Sequence, residues 1–85
     1  MKMWGKIRVD NATRMSSTVT LHVKSACEVE DWSEPFAKLC HDMNLSRPVI
    51  LKKHVRELNE FGHTAFLPAD FMEPVDFDKL EIELF

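Results

Sequence analysis

The sequence predicts one small α+β domain. The expected architecture is a three-stranded, mainly antiparallel sheet with two helices on one face, in chain order β-β-α-α-β. Three observations carry that expectation. Both ends of the chain alternate apolar and polar residues: Ile7 and Val9 against Lys6 and Arg8, then Leu80, Ile82 and Leu84 against Glu81 and Glu83. That is the period of a strand. Between them, Trp32, Phe36, Leu39, Cys40 and Met43 recur at the spacing of one helix face. Finally, 85 residues, 45% of them apolar, hold one core and no second.

The first strand is expected over residues 3–9, with Trp4, Lys6 and Arg8 on one face and Ile7 and Val9 on the other. Asp10-Asn11 is a turn signal, because both side chains bond nearby backbone and tolerate left-handed geometry. Residues 17–24 read as the second strand, Val19, Leu21 and Val23 alternating with polar neighbours, and Thr13 is its earliest start. The register of that hairpin stays open.

Helix one is expected over 32–44. Asp31 with Glu34 forms a capping box, or Ser33 is the cap. Pro35 fits because it falls in the first turn, where no intrahelical N–H bond is lost. Asn44 closes the helix. The chain is extended at Arg47, which precedes a proline. Helix two follows over 52–61, with Leu51, Val55 and Leu58 inward and His54 and Phe61 at the border. Gly62 ends it in a left-handed conformation. Residues 63–78 read as a loop held down by its phenylalanines, with one helical turn near 68–72.

The third strand, 79–85, has the first as its expected antiparallel neighbour, in a register where paired numbers sum to 89. Lys6 then faces Glu83, Arg8 faces Glu81, Trp4 faces Phe85 and Ile7 faces Ile82. Gly5, opposite Leu84, leaves a gap for a helix side chain. The sheet order is two-one-three. Its outer face carries Lys6, Arg8, Glu81 and Glu83 in solvent, with Trp4 and Phe85 as an exposed aromatic pair suited to self-association.

Several functions find no support in the sequence. No apolar run approaches the roughly 20 residues that span a bilayer, and the amino-terminal residues lack the features of a secretory signal. A cytoplasmic location is expected, with Cys27 and Cys40 as reduced thiols. Neither cysteine lies in a C-x-x-C pair, and no histidine pair has zinc spacing. Gly5 and Gly62 stand alone, so no glycine-rich phosphate loop exists. No catalytic, cofactor or metal residue is assigned.

The clearest charge feature is Arg47, Lys52, Lys53 and Arg56, with no acid among them. Within a net charge of −3, these four leave the rest of the chain at −7. Such a stripe steers an anionic partner. Its bland reading is a solvated helix face in which Lys53 pairs with Glu57 and Arg56 with Glu60. General nucleic-acid binding calls for a more basic domain, so an acidic protein is the partner expected. The favoured function is a non-catalytic interaction or accessory protein. The alternative is a small-ligand or metal binder, or a minimal enzyme, using His54, His63 and a cysteine around residues 54–78.

The opening Trp4-Gly5-Lys6-Ile7, the Arg47-Pro48 step, the Phe61, Thr64 and Phe66 spacing, and the run from Phe71 through Glu73-Pro74-Val75-Asp76-Phe77-Asp78 to Leu80-Glu81-Ile82 resemble a family of small, uncharacterised bacterial proteins. The resemblance spans most of the chain, least well at residues 12–28. It implies a complete small protein and supplies neither an activity nor functional residues.

Overall fold

The computed structural model describes all 85 residues, Met1–Phe85. The chain runs β1 (Lys2–Val9), β2 (Ala12–Thr20), a 3-10 turn (Ala26–Glu28), α1 (Ser33–Asp42), α2 (Lys52–Phe61), β3 (His63–Phe66), a second 3-10 turn (Pro68–Asp70) and β4 (Lys79–Leu84). The α+β class and the two helices are as expected. The sheet has four strands rather than three, in the order β2-β1-β4-β3, all neighbours antiparallel.

The added strand is β3, inside the stretch expected to be loop. Gly62 takes a φ of 73° and ends α2 with its N–H on the Leu58 carbonyl. That left-handed step reverses the chain at once and lays residues 63–66 beside β4. Thr64 and Phe66 then point inward and are buried, while His63 stays outside. Phe71 and Phe77 do tack down the remaining loop, as an edge-to-face pair with centroids 5.4 Å apart.

The second strand lies earlier than residues 17–24. Asp10 and Asn11, at φ of 51° and 65°, make a two-residue hairpin turn whose twist suits antiparallel strands. β2 therefore starts at Ala12, and a bulge between Ile7 and Arg8 absorbs one extra residue. Val19 alone of β2 is buried. Leu21 and Val23 fall beyond its end, although the Leu21 N–H still bonds the Met1 carbonyl at 2.8 Å.

β1 and β4 are antiparallel neighbours, but paired numbers sum to 87: Met3 faces Leu84, Trp4 faces Glu83, Lys6 faces Glu81, and Ile7 faces Leu80. The slip is two residues, so every side chain keeps its expected face. Reciprocal bonds between Lys2 and Phe85, at 2.6 and 2.9 Å, close one end of the ladder. By alternation, the even residues of β1 are hydrogen-bonded to β4 and the odd ones to β2.

In this register Gly5 lies opposite Ile82, not Leu84. It admits a helix side chain all the same: a Cβ at Gly5 would sit 2.6 Å from Leu39 Cδ2. Leu39, Phe36, Cys40, Met43 and Trp32 are buried from α1, as the helical spacing requires. Asp31 accepts bonds from both the Ser33 N–H and its hydroxyl, at 2.9 and 2.7 Å, at the start of α1. Asn44, at φ 57°, closes it. Phe36 meets Phe66 edge to face at 5.2 Å, joining α1 to the edge strand β3. The core thus lies between the helices and one sheet face, made by Met3, Ile7, Val19, Phe66, Leu80 and Ile82.

Candidate functional site

α2 is rotated relative to its expected setting. His54 and Leu58 point inward and are buried, while Leu51 and Phe61 are exposed. The cause is a polar clasp centred on His54. Its Nδ1 accepts the Leu51 N–H at 3.0 Å, satisfying one orphan donor at the helix start. A nitrogen that accepts carries no proton, so the neutral ring holds its proton on Nε2. That atom faces Asp70 Oδ2 at 3.6 Å, too long for a hydrogen bond, and has no other partner. Asp70 Oδ2 accepts the Leu67 N–H at 2.9 Å. The ring lies 4.2 Å from the Phe66 centroid. His54 and Asp70 therefore tie the start of α2 to the turn after β3.

This clasp predicts a pH dependence of stability. Burial holds the His54 pKa below its ordinary value, against the opposing pull of Asp70. Folding therefore favours the neutral ring, and the unfolded chain binds the proton more readily. The contribution is fully present above about pH 6.5, the ordinary histidine value. It is lost as pH falls from there towards the lower folded pKa. Thermal melts are expected to show Tm declining from about pH 6.5 downward, and His54→Gln is expected to remove that part of the decline.

The four cations border the same stretch of chain, Arg47 ahead of α2 and Lys52, Lys53 and Arg56 on its first two turns. Arg47, Lys52, Lys53 and Arg56 are all exposed. Pro48 between them is buried and bridges Phe71, and the Val49 N–H bonds the Asp70 carbonyl at 2.7 Å. The chain's ion pairs are Arg8–Glu81 and Arg14–Asp76, with neutral His54 beside Asp70. None involves the four cations, so the expected Lys53–Glu57 and Arg56–Glu60 pairs do not form. Glu57 instead accepts the Thr64 hydroxyl at 2.6 Å, turned towards β3. Val49 and Leu51 are 43% and 44% exposed in the midst of these charges.

The outer sheet face is the second surface. Trp4 and Phe85 meet edge to face with centroids 6.4 Å apart, one ladder step off direct opposition; Phe85 is 63% exposed, but Trp4 is half-buried rather than exposed as expected. Lys6 Nζ sits 4.2 Å from the Trp4 ring centre, a cation–π contact. Arg8 Nε lies 3.0 Å from Glu81 Oε1, but its N–H points elsewhere, so the contact is an ion pair without a hydrogen bond. These residues pair with one another, and no catalytic set converges among them.

The histidines and thiols of the alternative reading do not converge. His54 is fully buried, while His63 is exposed and stacks on Phe61. Cys40 is sealed in the core, where burial pushes its pKa up to about 11 despite Arg47 nearby. Cys27 is exposed and contacts the Ser25 hydroxyl at 3.1 Å. No group of three or more His, Cys, Asp or Glu side chains is placed to hold a metal ion. No helix is long and apolar enough to cross a membrane. The hydroxyl of Thr64, buried and spent on Glu57, is the detail that sequence reasoning missed and that leaves Lys53 free. Compared with protein-family models, curated proteins and solved structures, the chain matches none.

Proposed function

We propose that this chain works by binding, without catalysis, and that its partner is an acidic protein held by Arg47, Lys52, Lys53 and Arg56. One observation carries the reading: these four cations crowd into residues 47–56 with no acid among them, and none has a carboxylate partner in its own chain. Arg8 and Arg14, by contrast, are each neutralised locally. Unpaired like charges this close along the chain repel one another, and an approaching acidic surface relieves that repulsion and is steered by it. The exposed Leu51 and Val49 supply apolar contact where a purely solvated face would carry none. The overall charge of −3 makes nucleic acid the poorer match.

The test is charge reversal. With Lys52→Glu, Lys53→Glu and Arg56→Glu combined, affinity for a purified partner, isolated with the wild-type chain, is expected to drop by at least about a hundredfold, with its salt dependence lost. Undiminished binding by the folded triple variant contradicts the proposal.

The Trp4–Phe85 pair on the uncovered sheet face supports a second contact, with another copy of this chain. It predicts a monomer–dimer equilibrium in sedimentation that Trp4→Ser shifts to monomer. A monomer at every concentration excludes it.

A further inference from the structure

The outer side of α2 has a shape as well as a charge. Leu51, Val55 and Asn59 form one ridge at i, i+4 spacing, and Lys52, Arg56 and Glu60 form the next. Such ridges are the elements that pack into the grooves of a second helix. Here they border a shallow groove of about 460 Å³. Ile50 and Val55 line it and pack on the core beneath, so its apolar part is anchored. Leu51, 44% exposed, stands at its amino-terminal end. The charges are polarised along it, with Lys52 and Arg56 at one end and Glu60 at the other.

We infer that this groove docks an acidic amphipathic helix of a partner protein. The inference rests on the binding role proposed above and adds the form of the partner's contact segment. Apolar side chains of that helix cover Leu51 and Val55. Its carboxylates meet Lys52 and Arg56, and its end away from them avoids Glu60. A compact anion or a phosphate backbone leaves the apolar part unused, whereas an amphipathic helix matches both ridges. From Leu51 to Asn59 the ridge is about 12 Å long, two turns of a docked helix. The contact is therefore at the small end of the interface range, below about 1,200 Å², and the complex is transient.

The probe is a synthetic 14-residue peptide with leucines at helix-face spacing and glutamates on its flanks, titrated into the ¹⁵N-labelled chain. Amide shifts are expected to concentrate in residues 50–60. Leu51→Ser, with a fold checked by its own spectrum, is expected to weaken binding about tenfold. A peptide with the same glutamates but serine for leucine is expected to bind at least about tenfold more weakly, and a lysine-for-glutamate version to leave the spectrum unchanged. If the serine peptide binds as tightly and Leu51→Ser has no effect, the groove falls while the charge reading stands. If no acidic peptide shifts any resonance in 50–60, both fall. Tighter binding through the same residues to phosphatidylserine vesicles makes the surface a lipid contact and overturns the helix-docking inference.

Discussion

Replacing Phe66 with Ala is expected to destabilise the chain by about 3–5 kcal/mol. Folded domains hold only about 5–15 kcal/mol in total, and a chain of this length lies towards the lower end. Phe66 is fully buried, and its ring touches two elements at once. It meets Phe36 of α1 edge to face and lies against the His54 ring of α2. Truncation removes both contacts, opens a cavity, and leaves β3 with Thr64 as its one other buried side chain. Chemical denaturation followed by far-ultraviolet circular dichroism measures the change. A loss under about 1 kcal/mol, the range of volume-conserving swaps, contradicts the placement of Phe66 between the helices.

Gly5 gives the second large effect, and its sign is expected to depend on Leu39. A Cβ at Gly5 would lie 2.6 Å from Leu39 Cδ2, and two further atoms of that side chain stand at 3.2 Å. Leu39 is fully buried and cannot withdraw into solvent. Gly5→Ala is therefore an overpacking change, expected to destabilise by about 1–3 kcal/mol. Leu39→Ala alone creates a cavity and costs about 2–5 kcal/mol. In the Leu39→Ala background the three atoms nearest that Cβ are gone, and the overpacking is expected to be relieved. There it stabilises by about 0.5–1 kcal/mol, because alanine loses less chain entropy than glycine in a strand. A double-mutant cycle reads the coupling directly. Additive effects would show that β1 and α1 do not meet at this point.

The sequence carried the parts of this fold in which apolar spacing is strong. The α1 stripe is buried as its periodicity selects, as are Ile7 of β1 and Leu80 and Ile82 of β4, with Val9 and Leu84 half-buried at the strand ends. Asn44 and Gly62 end the helices in left-handed conformations, as their side chains permit. The parts that stayed hidden have particular causes. β3 is four residues, too short for any period to register. β2 is exposed on both faces through Ser16, so no buried face sets its pattern, while Val19, Leu21 and Val23 imitated a later strand. A slip of two residues between β1 and β4 moves no side chain to the other face, so binary pattern cannot distinguish sums of 87 and 89. The packing of Leu39 over Gly5 is the kind of contact that does.

The candidate surface was legible in composition and not in detail. Arg47, Lys52, Lys53 and Arg56 stand out as a run, but whether Glu57 pairs with Lys53 depends on where that carboxylate turns, and in the fold it accepts the Thr64 hydroxyl. His54 reads as a border residue because histidine is polar. Only the fold shows that one ring nitrogen caps α2 and the other meets Asp70. Leu51 is exposed because it is the extended N-cap of α2 and not part of its inward face, and that places an apolar residue among the cations.

Both proposed surfaces depend on β4 lying inside the sheet, between β1 and β3. Cross-strand contacts between α-protons, measured by nuclear Overhauser spectroscopy, test this most directly, because they are strong only at non-hydrogen-bonded antiparallel pairs. The Leu84 N–H bonds the Gly62 carbonyl at 2.8 Å, which makes His63–Glu83 and Ala65–Glu81 such pairs; on the other side they are Met3–Leu84, Gly5–Ile82 and Ile7–Leu80. Contacts at all five are the predicted result. α-Proton contacts in a register summing to 89, or none from residues 63–66 to β4, would contradict the fold on which both surfaces rest.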